Sequence, residues 1–274
     1  VAAAAACDAR PHEPWALAPR TRVTLDVTTR EDLLETGAAR KLSIAMRGAV
    51  ADDGSLALEV TRVTLEVREP NREVVRTVAP RAADEAGAAA SPVLEALRGA
   101  TVRVGLDRSA GVTSVAGLDL AFASAGTAHR DECAALSSLA SDAAWARDLA
   151  NAGMSAVPET LRQGAAVARQ ARVRIAGRGV TSAQLAGEAA RDNRGSPATH
   201  VAGRLSADAV FEGDGGPTPP ADVGAVRLAD VTLEATTSYA GDPALPLRGE
   251  WIVTTLFAGG LTVRTTTSFA LVLR

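Results

Sequence analysis

The densest set of chemically capable side chains is the run HRDEC at residues 129–133. His129, Asp131 and Cys133 are metal-ligand types, but zinc takes three or four convergent ligands, and no second cluster completes the set. Asp131 reads instead as the cap of a following helix. No metal and no other cofactor is expected. The letters HRD also occur in kinase catalytic loops, yet no glycine-rich loop or lysine-bearing strand accompanies them. His12 lies in a proline-flanked stretch and His200 at the start of a strand, neither near a plausible nucleophile in sequence. There is no G-x-S-x-G elbow, no phosphate-binding loop and no dinucleotide fingerprint. The acidic stretches at 52–54 and 213–216 lack the alternating oxygen ligands of a calcium loop and read as turns. No catalytic residue is assigned, and the expectation is a protein that binds and does not catalyse.

Composition narrows the partners. The chain is 47% hydrophobic and 22% charged with a net charge of -3, so it is neither disordered nor a nucleic-acid binder carried by a basic field. Aromatics are 3%, too few for stacking surfaces, and Trp15, Trp145 and Trp251 read as core. Lys41 is the only lysine among many arginines, and alanine abounds, a bias that points to a GC-rich bacterial genome. No run of about twenty apolar residues predicts a membrane-spanning helix. The opening VAAAAAC resembles the tail of a secretory signal. It also resembles the small-residue run before the lipidated cysteine of bacterial lipoproteins, although six residues precede Cys7 here. The protein is expected to be exported, to the periplasm or the cell surface. There Cys7 either pairs with Cys133, the only other cysteine, or both stay free. A bridge closing so long a loop is worth about 4–5 kcal/mol in the chain-entropy model.

These groups must be positioned by elements that read mostly as strands. RVTLDVTT sets Val23, Leu25 and Val27 on one face and Thr24, Asp26 and Thr28 on the other, the pattern of a half-buried strand. KLSIAMRG repeats it, and ADDGS turns the chain into LALEVTRVTLEVRE. The apolar phase there slips near Thr61 and Arg62, and again in AVRLADVTLEA, which predicts β-bulges in a strongly curved sheet. Ser91, Pro92 and Gly99 bracket a short helix. A longer helix is predicted from Asp131 to Gly153, with Cys133, Leu136, Leu139, Ala143 and Ala146 along one face. The segment between reads as a hairpin turning at Ser109–Gly111 and continuing through LDLAFAS. GDGGPTPPADVG is a loop by composition. ARVRI and TVRV alternate arginine with apolar residues, a pattern that suits an anionic headgroup site and, more often, the wetted face of a strand. The predicted fold is mainly β (α+β): a single strongly curved antiparallel sheet of about eleven strands, with a long helix and a short helix on the concave side. Residues 1–20 form an exported N-terminal segment and residues 21–274 one half-barrel-like domain with a helical insertion near 131–153.

This element order resembles the lipoprotein-carrier half-barrels of the LolA, LolB and LppX type. GVTSVAGLDL, a helix and then VPETLRQG also resemble an uncharacterised family of predicted bacterial envelope proteins, through Gly111, Val112, Gly117, Pro158 and Gly164. The carrier resemblance implies a cavity between sheet and helices for a lipid or other apolar ligand. Its lining here would be Leu136, Leu139, Trp145, Leu149, Val104 and Leu106. The alternative is a structural or accessory subunit of a cell-envelope or surface assembly, with a protein partner at an exposed strand edge.

Overall fold

A computed structural model describes residues 17–70, 75–78, 89–107, 111–125, 129–155, 161–175, 178–205, 209–212, 228–240 and 245–274. Cys7, His12, Trp15, Pro158 and the loop 213–224 lie outside the described residues. The strands are β1 (Arg22–Leu33), β2 (Ala38–Val50), β3 (Leu56–Arg68), β4 (Val75–Val78), β5 (Ala89–Ala90), β6 (Thr101–Leu106) and β7 (Val112–Ala116), then β8 (Ala166–Ile175), β9 (Gly179–Arg191), β10 (Pro197–Arg204), β11 (Leu228–Ala240), β12 (Leu245–Phe257) and β13 (Thr262–Leu273). Helix α1 (Pro92–Leu97) precedes β6, while α2 (Leu118–Ser124), α3 (Arg130–Ser137) and α4 (Asp142–Asn151) lie between β7 and β8.

All strands belong to one sheet. Eleven follow a single path, β5-β4-β3-β2-β1-β13-β12-β11-β10-β9-β8, and the β6–β7 hairpin branches from β3. Every pairing is antiparallel except the short β4–β5 contact. Sequence neighbours pair by hairpins within each half, and the halves join where the first long strand meets the last, from Val23 opposite Leu273 to Leu33 opposite Val263. The unbroken apolar phase of the final strand has this cause: β13 lies at the centre of the sheet and not at its edge.

The predicted bulge is present. In the β2–β3 ladder Ala45 faces Arg62 and Met46 faces Val60, leaving Thr61 as the extra residue, with its hydroxyl donating to the Ala45 carbonyl at 3.0 Å. A bulge bends and twists its strand, and here it also divides β3 between two neighbours: residues 56–59 pair with β6 and residues 64–67 with β4. The second phase slip likewise coincides with a register shift between Leu228 and Asp230.

The helices differ from the prediction in three ways. The single helix expected over 131–153 is two, because the hydroxyls of Ser137 and Ser138 bond back to the Ala134 and Ala135 carbonyls, and Ser141, in extended backbone, caps a new helix by accepting from the Ala144 amide at 3.2 Å. Ala143 is consequently exposed, and the buried face of α4 is Ala144, Trp145 and Leu149. Asp131 is not a cap: His129 holds that position without a side-chain bond, and Asp131 is exposed in the first turn. Finally, LDLAFAS is helical and does not extend the β6–β7 hairpin. Its N-terminus is capped from a distance, by the Asp142 carboxylate accepting from the Gly117 and Leu118 amides at 3.2 and 2.9 Å. Asp119 returns the bond to the Asp142 amide at 3.3 Å. Gly117 makes the corner possible: its φ is 117°, and a Cβ there would stand 2.2 Å from the Thr101 carbonyl oxygen.

The inner face of the sheet and the helices share one core. Leu25, Ile44, Met46 and Leu58 from the first half and Leu233, Trp251, Phe269 and Leu271 from the second belong to one cluster with Leu94 and Leu97 of α1, Leu118 of α2 and Leu149 of α4. Trp145 and Trp251 are both buried, as their scarcity in the sequence suggested.

Candidate functional site

The strongest candidate is the interior between the concave face and the helices, which is organised around α4. This helix packs along β7 and touches β12, β13 and β8. It therefore bridges the branching β6–β7 hairpin and the β8 end of the strand path. Its C-terminal turn is tied to both. The Val112 amide of β7 donates to the Met154 carbonyl at 2.8 Å, and the Asn151 side-chain amide donates to the Arg172 carbonyl of β8 at 2.6 Å. β8 ends the strand path, so the second bond satisfies a carbonyl with no strand to receive it.

The sheet makes room for this turn with small residues. At Gly249 of β12 an added Cβ would lie 1.9 Å from the Ala152 carbonyl oxygen, so no other residue fits without moving α4. On β11 the Thr237 hydroxyl donates to that same carbonyl at 3.0 Å. Ala171, Ala183, Ala189 and Ala235 keep the neighbouring inner surface shallow.

Of the residues expected to line an apolar cavity, Leu136, Leu139, Trp145, Leu149 and Val104 are all buried, and Leu106 packs half-buried against them. They belong to one continuous core. Cys133 is half-buried with its thiol 3.7 Å from the Phe122 carbonyl. No disulfide is seen among the described residues, and its expected partner Cys7 lies outside them. The rest of HRDEC does not converge: Glu132 accepts a hydrogen bond from Ser91, and no group of three metal-ligand side chains occurs among the described residues.

The sequence reading missed the polar groups in this interior. Arg169 points inward from β8, between Val167 and Ala171, and its terminal nitrogen donates to the Asn151 carbonyl at the end of α4. Its Nε is closed to solvent and has no acceptor. Burial pulls the guanidinium below its ordinary pKa, the one opposing influence being the Tyr239 phenol. That phenol is 3.4 Å from the Thr199 hydroxyl. The Trp145 Nε1 and the Thr29 hydroxyl are also buried without partners. Period-two patterning does contain the Arg169 signal, since Val167, Arg169, Ala171 and Val173 share a face and one of them is charged.

Arginines 172 and 103 are exposed and paired with Glu212 at 3.4 Å and Asp53 at 3.0 Å, as a wetted strand face requires. Two recesses among the described residues mix polar and apolar lining. One, of about 310 Å³, lies over Asp26, Thr28, Lys41, Ser43 and Arg62; the other, of about 470 Å³, lies beside Arg172, Gln184, Arg204 and Glu212. No helix among the described residues is long and apolar enough to cross a membrane.

The fold thus defines a class, a single curved sheet of half-barrel form with helices on its concave face. No protein-family model and no curated protein matches the chain. Among solved structures it is similar to lipovitellin, in a structure of lipid-protein interactions in lipovitellin, at 11% identity and TM-score 0.49 over 93% of this chain and 25% of that one. It spans about a quarter of that chain's length. It is also similar to DynF from the dynemicin biosynthesis pathway of Micromonospora chersina, at 9% identity and TM-score 0.22 over 96% of this chain and 83% of that one.

Proposed function

We propose that the protein is a non-catalytic binder of a lipid or other apolar ligand, held between the concave face and the helices. The observation that carries this is the cover of the concave face. Among the described residues its apolar side chains are shielded by short helices, and α4 is held by hydrogen bonds at its two ends, from Asp142 to the start of α2 and from its C-terminal turn to β7, β8 and β11. Short helices of six to ten residues are not stable by themselves and hold their place by packing. Such a cover can lift locally at less cost than the sheet can open. Native mass spectrometry of the purified full chain tests the reading. A bound lipid that leaves on denaturation supports it; a bare chain that also fails to take up added long-chain lipid overturns it.

A further inference from the structure

Arg169 is anomalous for a core side chain. It lies on the inner face, its Nε is shut off from solvent without an acceptor, and no carboxylate among the described residues pairs with it. A buried cation without a counter-charge is costly, and proteins ordinarily pair it. The end of α4 offsets part of the charge through the Asn151 carbonyl, but a helix terminus carries only about half a negative charge. The cation is not sealed in: it stands on the last strand of the path and the residue is half-buried, so it can be reached from the sheet edge. Next to it along the strand lie Val167, Ala171 and Val173, all buried, and Tyr239 with its phenol near the Thr199 hydroxyl is close enough to influence its charge.

We propose that Arg169 receives the anionic head of an amphipathic ligand whose apolar chain lies on the concave face, the head being a carboxylate or another oxyanion. The planar guanidinium offers parallel N–H donors that match an oxyanion, and Nε lies on one edge of that fork. This rests on the lipid-binding reading above and names the head group that it requires. The inner residues of β8 and β9 near it, Ala171, Ala183 and Ala189, are small and buried, so a chain reaches them when the helical cover lifts.

The test is titration of the full chain with oleic acid, oleyl alcohol and inorganic phosphate at neutral pH. The expected result is that oleic acid binds at least about tenfold more tightly than the alcohol. Arg169→Met should bring the acid down to the alcohol while the alcohol is unchanged, and Arg169→Lys should keep part of the preference. Equal binding of acid and alcohol to the wild-type protein overturns the head-group role and leaves the lipid reading standing. Binding of neither overturns both. Phosphate bound as tightly as the acid would make Arg169 a free-anion site and overturn the amphipathic ligand. A variant that melts earlier with an unchanged acid-to-alcohol ratio would show that Arg169 only caps α4. Should Arg169→Met fail to fold, the wild-type ratio and the Lys variant decide.

Discussion

The two halves of the sheet face one interior with different side chains. On β1 to β3 the inner positions are Leu25, Val27, Ile44, Met46, Leu56 and Leu58, large and fully buried. On β8 to β13 many of them are Ala171, Ala183, Ala189, Ala235, Thr237 and Gly249. Large aliphatic residues fill space by themselves, whereas small ones and threonines leave a shallow trough that another element must occupy. In this protein the occupant is the end of α4, backbone against backbone at Gly249. The first half is therefore a conventional core, and the second is a seat for α4, with both the seam at Asn151 and the inward-facing Arg169 on that side.

That contrast can be broken, most severely in the first half. Leu58→Ala removes a fully buried side chain and should cost about 2–5 kcal/mol, read from the denaturant midpoint. In the second half the sensitive change is in the other direction. Gly249→Ala should cost about 1–3 kcal/mol and displace the α4 terminus, seen as a red shift of the Trp145 emission. The ties of α4 should weigh less. Asn151→Ala removes the bond to the Arg172 carbonyl, an expected loss of about 0.5–1.5 kcal/mol together with faster amide exchange along β8. A comparable loss in Ser91→Ala, about 1 kcal/mol, would come from uncapping α1 and should leave β8 exchange untouched. The smallest effect concerns acid. The hydroxyl of Ser55 first, and then its amide, hold the exposed Asp53 carboxyl below its ordinary pKa in the β2–β3 turn. A lowered folded-state pKa means that its contribution is present above the unfolded value and disappears as pH falls through the folded one. Asp53→Asn should accordingly lower stability slightly at neutral pH and match the wild type in acid, which flattens the acid limb of the stability profile.

Much of the sheet was legible because alternation is a local property. The phase of Val23, Leu25 and Val27, the slip at Thr61 and the capping of α1 by Ser91 each depend on residues close in the chain, and each is present in the structure. The helical region was legible only in part. Ala-rich segments carry little periodicity, so the break at Ser138–Ser141 and the helicity of LDLAFAS were missed; the latter depends on Asp142, more than twenty residues away. For the candidate site, the helical spacing picked out Leu136 and Leu139, which are buried, but also Ala143, which is exposed, while Asn151 and Arg169 looked like ordinary surface residues.

By itself the sequence determined the strands, their faces and their bulges, since a side chain's direction along a strand follows from counting residues. Only the tertiary structure decided that β1 pairs with β13, that α4 spans the concave face, and that Asn151 and Arg169 meet there. Those contacts join residues distant in the chain, and which distant surfaces meet is fixed by the fit of their shapes, as at Gly249 under Ala152, and not by the pattern of either segment alone.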